Sequence, residues 1–134
     1  MDADMLVRRF WRCVFNERDL SVVEGMVSPD FAWRGSLGTQ TSGIRDFLAY
    51  VRAAQQSLPD LAVGLDELTW TGEQVWTRMT FTATHQGALL GVAASGRALS
   101  YPGLAVHDVS DGVLSRVWVV ADTLDLHRQL VGKA

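Results

Sequence analysis

Few side chains in this 134-residue chain have the type and setting for proton transfer. Asp122 closes the apolar run Val119-Val120-Ala121. Apolar neighbours disfavour an ionised carboxylate, which raises its pKa towards the range where a general acid or base works near neutrality. Aspartate is also a preferred helix N-cap, so Asp122 reads equally as the cap of a C-terminal turn beginning at Thr123. His107 shares one face of a strand with Gly103 and Ala105, ahead of Asp111-Gly112. Imidazole exchanges protons at physiological pH; a histidine so placed either serves a pocket or bonds to neighbouring backbone. His85 ends a second alternating run and can face a ligand or fix the loop from Gly87 to Arg97. The spacing of His85, His107 and His127 fits no metal site and no carboxylate cluster accompanies them, so no metal is expected. Neither a phosphate loop nor a G-x-S-x-G nucleophile elbow occurs.

The elements that must position these groups change period halfway along the chain. Leu6, Phe10, Cys13 and Val14 recur at helical spacing, with Val7 and Trp11 widening the stripe. Asp19 can cap a short second helix through Met26, which must stop before Pro29 because the residue before proline avoids helical angles. Residues 30–42 read as a Gly/Ser/Thr-rich connection holding Trp33. Ser42 then caps a third helix from Gly43 to Ser57, with Phe47, Leu48, Val51 and Leu58 inward, ended by Leu58-Pro59-Asp60. Beyond it, Val75, Thr77, Met79, Phe81, Ala83 and His85 alternate with Trp76, Arg78, Thr80, Thr82 and Thr84, a long strand whose hairpin partner is 61–71 across Gly72-Glu73. Asp111-Gly112 joins two more runs, 103–109 and 113–121, because such a turn needs positive φ. Helices first and a meander afterwards make an α+β fold, an antiparallel sheet with helices on one face. Strongly bent, that sheet leaves a cone with a packed end and a mouth able to hold a ligand.

Composition narrows the function. Twelve Lys+Arg against 15 Asp+Glu, with scattered arginines, exclude the basic stripe of a nucleic-acid binder. One cysteine, Cys13, permits no internal disulfide and sits among apolar residues as a packed thiol. No apolar run approaches a membrane span, so a cytoplasmic protein is expected. Five tryptophans are many for this length, and Trp33, Trp70, Trp76 and Trp118 fall in the connection or the strands, as wall, core or interface.

Thr84-His85-Gln86-Gly87, Leu90-Gly91 and Ser95-Gly96-Arg97 resemble the THxG…G…TGR stretch of the SnoaL-like polyketide cyclase family. Asp111-Gly112, Trp118, Asp122 and Gln129-Leu130 resemble its DGKI…W…D…QLG ending, and Phe15-Asn16, Pro29-Asp30-Phe31, Gly43 and Pro59-Asp60-Leu61 agree in the right order. The resemblance implies a single domain over 1–134 with the cone-shaped fold of nuclear transport factor 2: three N-terminal helices on a strongly curved antiparallel sheet. Similar proteins close polyketide rings by aldol chemistry, hydroxylate aromatic polyketides without a cofactor, open epoxides, or have no known activity. The acid/base aspartate of the aldol cyclases falls here at Val119, their histidine at Ala105, their glutamine at Gly103 and an asparagine at Trp33. Their usual chemistry is thus missing from its usual positions, in a pocket made more apolar and aromatic.

Phe15 and Tyr50 fall where the cyclases contact the substrate ring and Trp33 replaces another such position, so three aromatics would suit a flat, polycyclic ligand. The expected function is ring formation or modification of a hydrophobic polyketide intermediate without organic cofactor or metal. Asp122 and His107 would transfer protons, while Trp33, Phe15, Tyr50, Trp118 and His85 would hold the substrate. A cofactor-independent hydroxylase and a non-catalytic binding protein are the alternatives. The face carrying Trp76, Arg78, Thr80, Thr82 and Thr84 is too apolar for open water, and similar proteins pair sheet against sheet, so a homodimer is expected.

Overall fold

The computed structural model describes residues 2–132. Helix α1, Ala3–Phe10, buries Leu6, Val7 and Phe10 and runs directly into a π-helical segment, Trp11–Asn16. Its wider turn sets the Trp11 and Phe15 rings 4.8 Å apart; π-helical segments are rare and often accompany functional sites. Asp19 caps the next turn by accepting from the Ser21 amide, and the 3₁₀ turn Leu20–Val22 leads into α2, Val23–Met26.

The stretch 30–42, expected as an irregular connection, is largely two strands: β1, Val27–Arg34, and β2, Gln40–Ser42. Pro29 masks β1 in the sequence because it offers no ladder donor. The register of β1 against its neighbour shifts between Val27 and Ala32, an irregularity that spans the proline. Ser42 is not the cap of α3, Ile44–Ser57. Gly43 holds that position at φ 87°, a left-handed conformation open to glycine, and its amide donates to Phe31 O. Phe47, Val51 and Leu58 point inward as the spacing requires.

Strands β3, Ala62–Thr71, β4, Gln74–Thr84, β5, Ala98–Ser110, and β6, Val113–Ala121, follow as an antiparallel meander. Asp111 (φ 53°) and Gly112 (φ 77°) make the turn before β6 as their identities demand. The sheet order is β2-β1-β6-β5-β4-β3, and β1 joins β6 in parallel. Register shifts in β3 and β5 add the twist that curls the sheet round α1 and α3. Helix α4, Thr123–Leu130, closes the chain. One buried cluster joins the helices to the concave face through Phe10, Phe31, Phe47, Met79, Leu114 and Val117.

Asn16 bridges the π-helical segment to the start of β3: its carbonyl accepts from Val63 N at 2.7 Å and its amide donates to Val63 O at 2.8 Å. Asn16→Ala removes both bonds and is expected to lower unfolding free energy by about 1–3 kcal/mol at the usual worth of a hydrogen bond, read as a lower urea midpoint with an unchanged slope.

Candidate functional site

A cavity of about 700 Å³ opens at the wide end of the cone between α3, the β1–β2 turn and the Leu89 segment. Helix α3 supplies Tyr50, Ala53, Ala54 and Ser57, the turn supplies Ser36 and Leu37, and Leu58, Leu61 and Tyr101 complete the apolar part. Thr39, Gln40, Thr41, Ser42 and Asp46 add polar groups. Behind it lies a chamber of about 30 Å³ walled by Trp11, Phe15, Trp33, Phe81 and Val119. Ser36, Tyr50, Ala54, Leu61 and Tyr101 line both spaces.

Aromatic packing sets the shape of the inner end. Phe15 stacks on Trp33 with centroids 5.6 Å apart, Phe81 stacks on Tyr101 at 5.1 Å, and Trp33 meets Tyr50 at 5.7 Å. Two glycines admit these rings. A Cβ on Gly35 would lie 2.0 Å from the Tyr50 hydroxyl oxygen, and one on Gly103 would lie 2.7 Å from Phe81 Cε2. The Phe81 ring therefore takes space that a side chain at position 103 would need.

Burial pushes the Tyr101 phenol up to about 12, offset in part by the Ser36 hydroxyl beside it and reinforced by nearby Tyr50. Burial also raises Tyr50, offset in part by the Trp33 indole, whose N–H lies close without forming a hydrogen bond of normal geometry. Both phenols stay protonated at neutral pH and can donate.

Of the candidates read from the sequence, Phe15, Trp33 and Tyr50 come together at this site. Asp122, expected as a proton-transfer group, lies exposed at the start of α4, where its carboxylate accepts from Asp125 N at 3.0 Å; the capping role explains its position. His107, its expected partner, is fully buried behind the chamber wall. Trp11 Nε1 donates to His107 Nε2 at 2.8 Å, and His107 Nδ1 donates to Val75 O at 2.9 Å, so both ring nitrogens are engaged. His85 also lies away from the cavity lining: Nε2 donates to Val92 O at 3.2 Å and Nδ1 accepts from Ser95 Oγ at 2.8 Å. It pins the loop that follows β4. Trp118 lies on the convex face with the Arg34 guanidinium 5.1 Å over its ring, because its neighbours Val117 and Val119 take the inward positions. Among the described residues no group of His, Cys, Asp and Glu could hold a metal.

Tyr101, Ser36 and Phe81 are the lining residues that sequence reasoning missed. A signal for Tyr101 was present, since it precedes Gly103, Ala105 and His107 on one face of β5 by the same two-residue step. Ser36 carried none, because the turn that presents it depends on the unforeseen pairing of β1 with β2.

The sequence profile of SnoaL-like polyketide cyclases matches residues 5–130, and the chain belongs to that family. No curated protein sequence matches it. Among solved structures, TsrD from Streptomyces laurentii is 29% identical over 97% of each chain, with a TM-score of 0.84. A candidate SnoaL-like polyketide cyclase from Jannaschia sp. CCS1 superposes at 0.87 with 20% identity, over 98% of this chain and 93% of its own. AclR from Streptomyces galilaeus, a candidate hydroxylase, is 25% identical over 98% of this chain and 97% of its own, with a TM-score of 0.81.

Burial lowers the His107 pKa from 6.5 to about 4, with the Val75 carbonyl and Asp108 opposing the change. The unfolded chain takes up a proton near pH 6.5 that the folded chain refuses until about pH 4. The stability present above pH 6.5 is therefore lost as pH falls through that window, by about 3 kcal/mol from this group. Urea titrations at pH 7 and pH 4.5 should show a larger drop for the native chain than for His107→Gln.

Proposed function

We propose that this chain binds a hydrophobic, fused-ring polyketide intermediate in the 700 Å³ cavity and promotes ring formation or modification by holding it in a reactive shape. The observation that carries this reading is a mostly apolar cavity backed by stacked aromatic rings, with Ser36, Tyr50 and Tyr101 lining both it and the inner chamber. Few polar groups in a mostly apolar concavity fix the orientation of such a ligand. Val119, Ala105 and Gly103 stand where the resembling cyclases carry proton-transfer groups, so the reading assigns the work to positioning and hydrogen-bond donation. Orientation of an intramolecular reaction contributes about 7–11 kcal/mol, enough to guide a substrate that is already activated.

Calorimetric titration with an anthraquinone-type compound should give saturable binding. Ala53→Trp, which fills the mouth of the cavity from the exposed side of α3, should weaken it by about tenfold or more, the equivalent of roughly 1.4 kcal/mol. Unchanged affinity in that variant would remove the cavity as the site. The 25% identity to a candidate hydroxylase supports a second reading, in which a hydroquinone-type substrate is oxidised by O₂ to the hydroxyquinone, one oxygen atom entering the ring and the other leaving as water. Label from ¹⁸O₂ in the product would select it, and an undiminished anaerobic reaction would reject it. Binding with no product would leave a carrier role. The buried, unpaired Cys13 suits a reducing cytoplasm.

We also propose a homodimer through the convex face. Cross-strand pairing aligns Trp76, Val106 and Trp118 in one row and Arg78, Leu104 and Val120 in the next. Leu104 and Val120 are more than half exposed and Trp76 and Trp118 nearly half, an apolar surface that a second copy would cover. Light scattering should give twice the chain mass at micromolar concentration and the single-chain mass for Leu104→Glu; a native monomer would refute the dimer.

A further inference from the structure

The ligand reading above underlies this inference, which concerns what the inner chamber recognises. Trp33 is 4% exposed, and its Nε1 is a buried N–H without a hydrogen-bond partner among the described residues. Native interiors rarely leave such a donor unpaired. The atom lies 3.1 Å from the point a Gly35 Cβ would occupy, and the Tyr50 hydroxyl oxygen lies 2.0 Å from the same point, so the two groups stand side by side. Tyr101 and Ser36 complete the polar lining, while Trp11, Phe15, Phe81, Leu61 and Val119 are apolar or aromatic surface. The chamber thus offers donors and, among its described lining residues, no carboxylate or cation. At about 30 Å³ it is far smaller than the 700 Å³ outer cavity and suits a small polar group better than a fused ring system.

We propose that the chamber receives the single carbonyl oxygen of a neutral polycyclic ketone, with Trp33 Nε1, Tyr50 and Tyr101 as donors, while the fused rings stay in the outer cavity. A carboxylate fits less well, because its charge would be desolvated without a counterion. The same donors would strengthen their bonds if negative charge built up on that oxygen during reaction.

The test compares fluorenone with fluorene, the same tricyclic skeleton with and without the carbonyl. Calorimetry should give fluorenone roughly tenfold higher affinity, the upper range for one net hydrogen bond. The carbonyl stretch of bound fluorenone should move to lower wavenumber. Tyr101→Phe and Tyr50→Phe should each lower the ratio of fluorenone to fluorene affinity and reduce the spectral shift. Equal affinities with an unshifted carbonyl band in the native protein would overturn the proposal without need of any variant, as would variants that weaken both compounds alike. Failure of both compounds to bind would instead bring down the cavity reading, and this proposal with it.

Discussion

The hydrogen bond from the Trp11 indole to His107 holds the deep end of the cone together. It joins the π-helical segment to β5, and the second histidine nitrogen carries the link to β4 through Val75 O. With both nitrogens used and the ring shut away from solvent, the imidazole is held neutral. Trp11 then presents its ring edge to Phe81 and its face to Phe15, which stacks on Trp33, which reaches Tyr50. One polar contact therefore fixes the first member of a chain of rings that ends at the cavity. The histidine acts through structure.

That arrangement changes what kind of chemistry the concave face can support. Gly103, Ala105 and Val119 are buried and carry no titratable group, and the Phe81 ring takes the room a side chain at position 103 would need. The remaining polar atoms around the inner chamber are hydroxyls and an indole N–H, all donors at neutral pH. Such a set can polarise an oxygen and hold a shape. Among the described residues lining the inner chamber there is no carboxylate or imidazole; the Asp46 carboxylate lines the outer cavity instead. Family membership sets the architecture, and the residues in the hollow decide what is done with it.

Much of this was legible in the chain. The period-two run from Val75 to His85, the Asp111-Gly112 turn and the helical stripe from Leu6 to Val14 each carry a local signal strong enough to fix an element and its inward face. The strand Val27–Arg34 was hidden because Pro29 and Asp30 interrupt its alternation and its main partner, β6, lies at the other end of the chain. For the site, the aromatic trio Phe15, Trp33 and Tyr50 emerged from resemblance, and the structure groups it. Asp122 and His107 could not be separated from structural roles by sequence, since a helix cap and a buried anchor use the same side chains as acid–base catalysis. Only coordinates tell whether their polar atoms are free.

The parallel union of β1 with β6 has a temporal consequence. Trp33 on β1 and Val119 on β6 both wall the inner chamber, yet they lie far apart in the sequence. The four-stranded meander joins sequential neighbours and can zip up as it emerges, whereas the hollow is enclosed only once the last strand slots in beside the first. Closure of the hollow therefore waits on a pairing of high sequence separation, which costs more loop entropy than any turn within the meander.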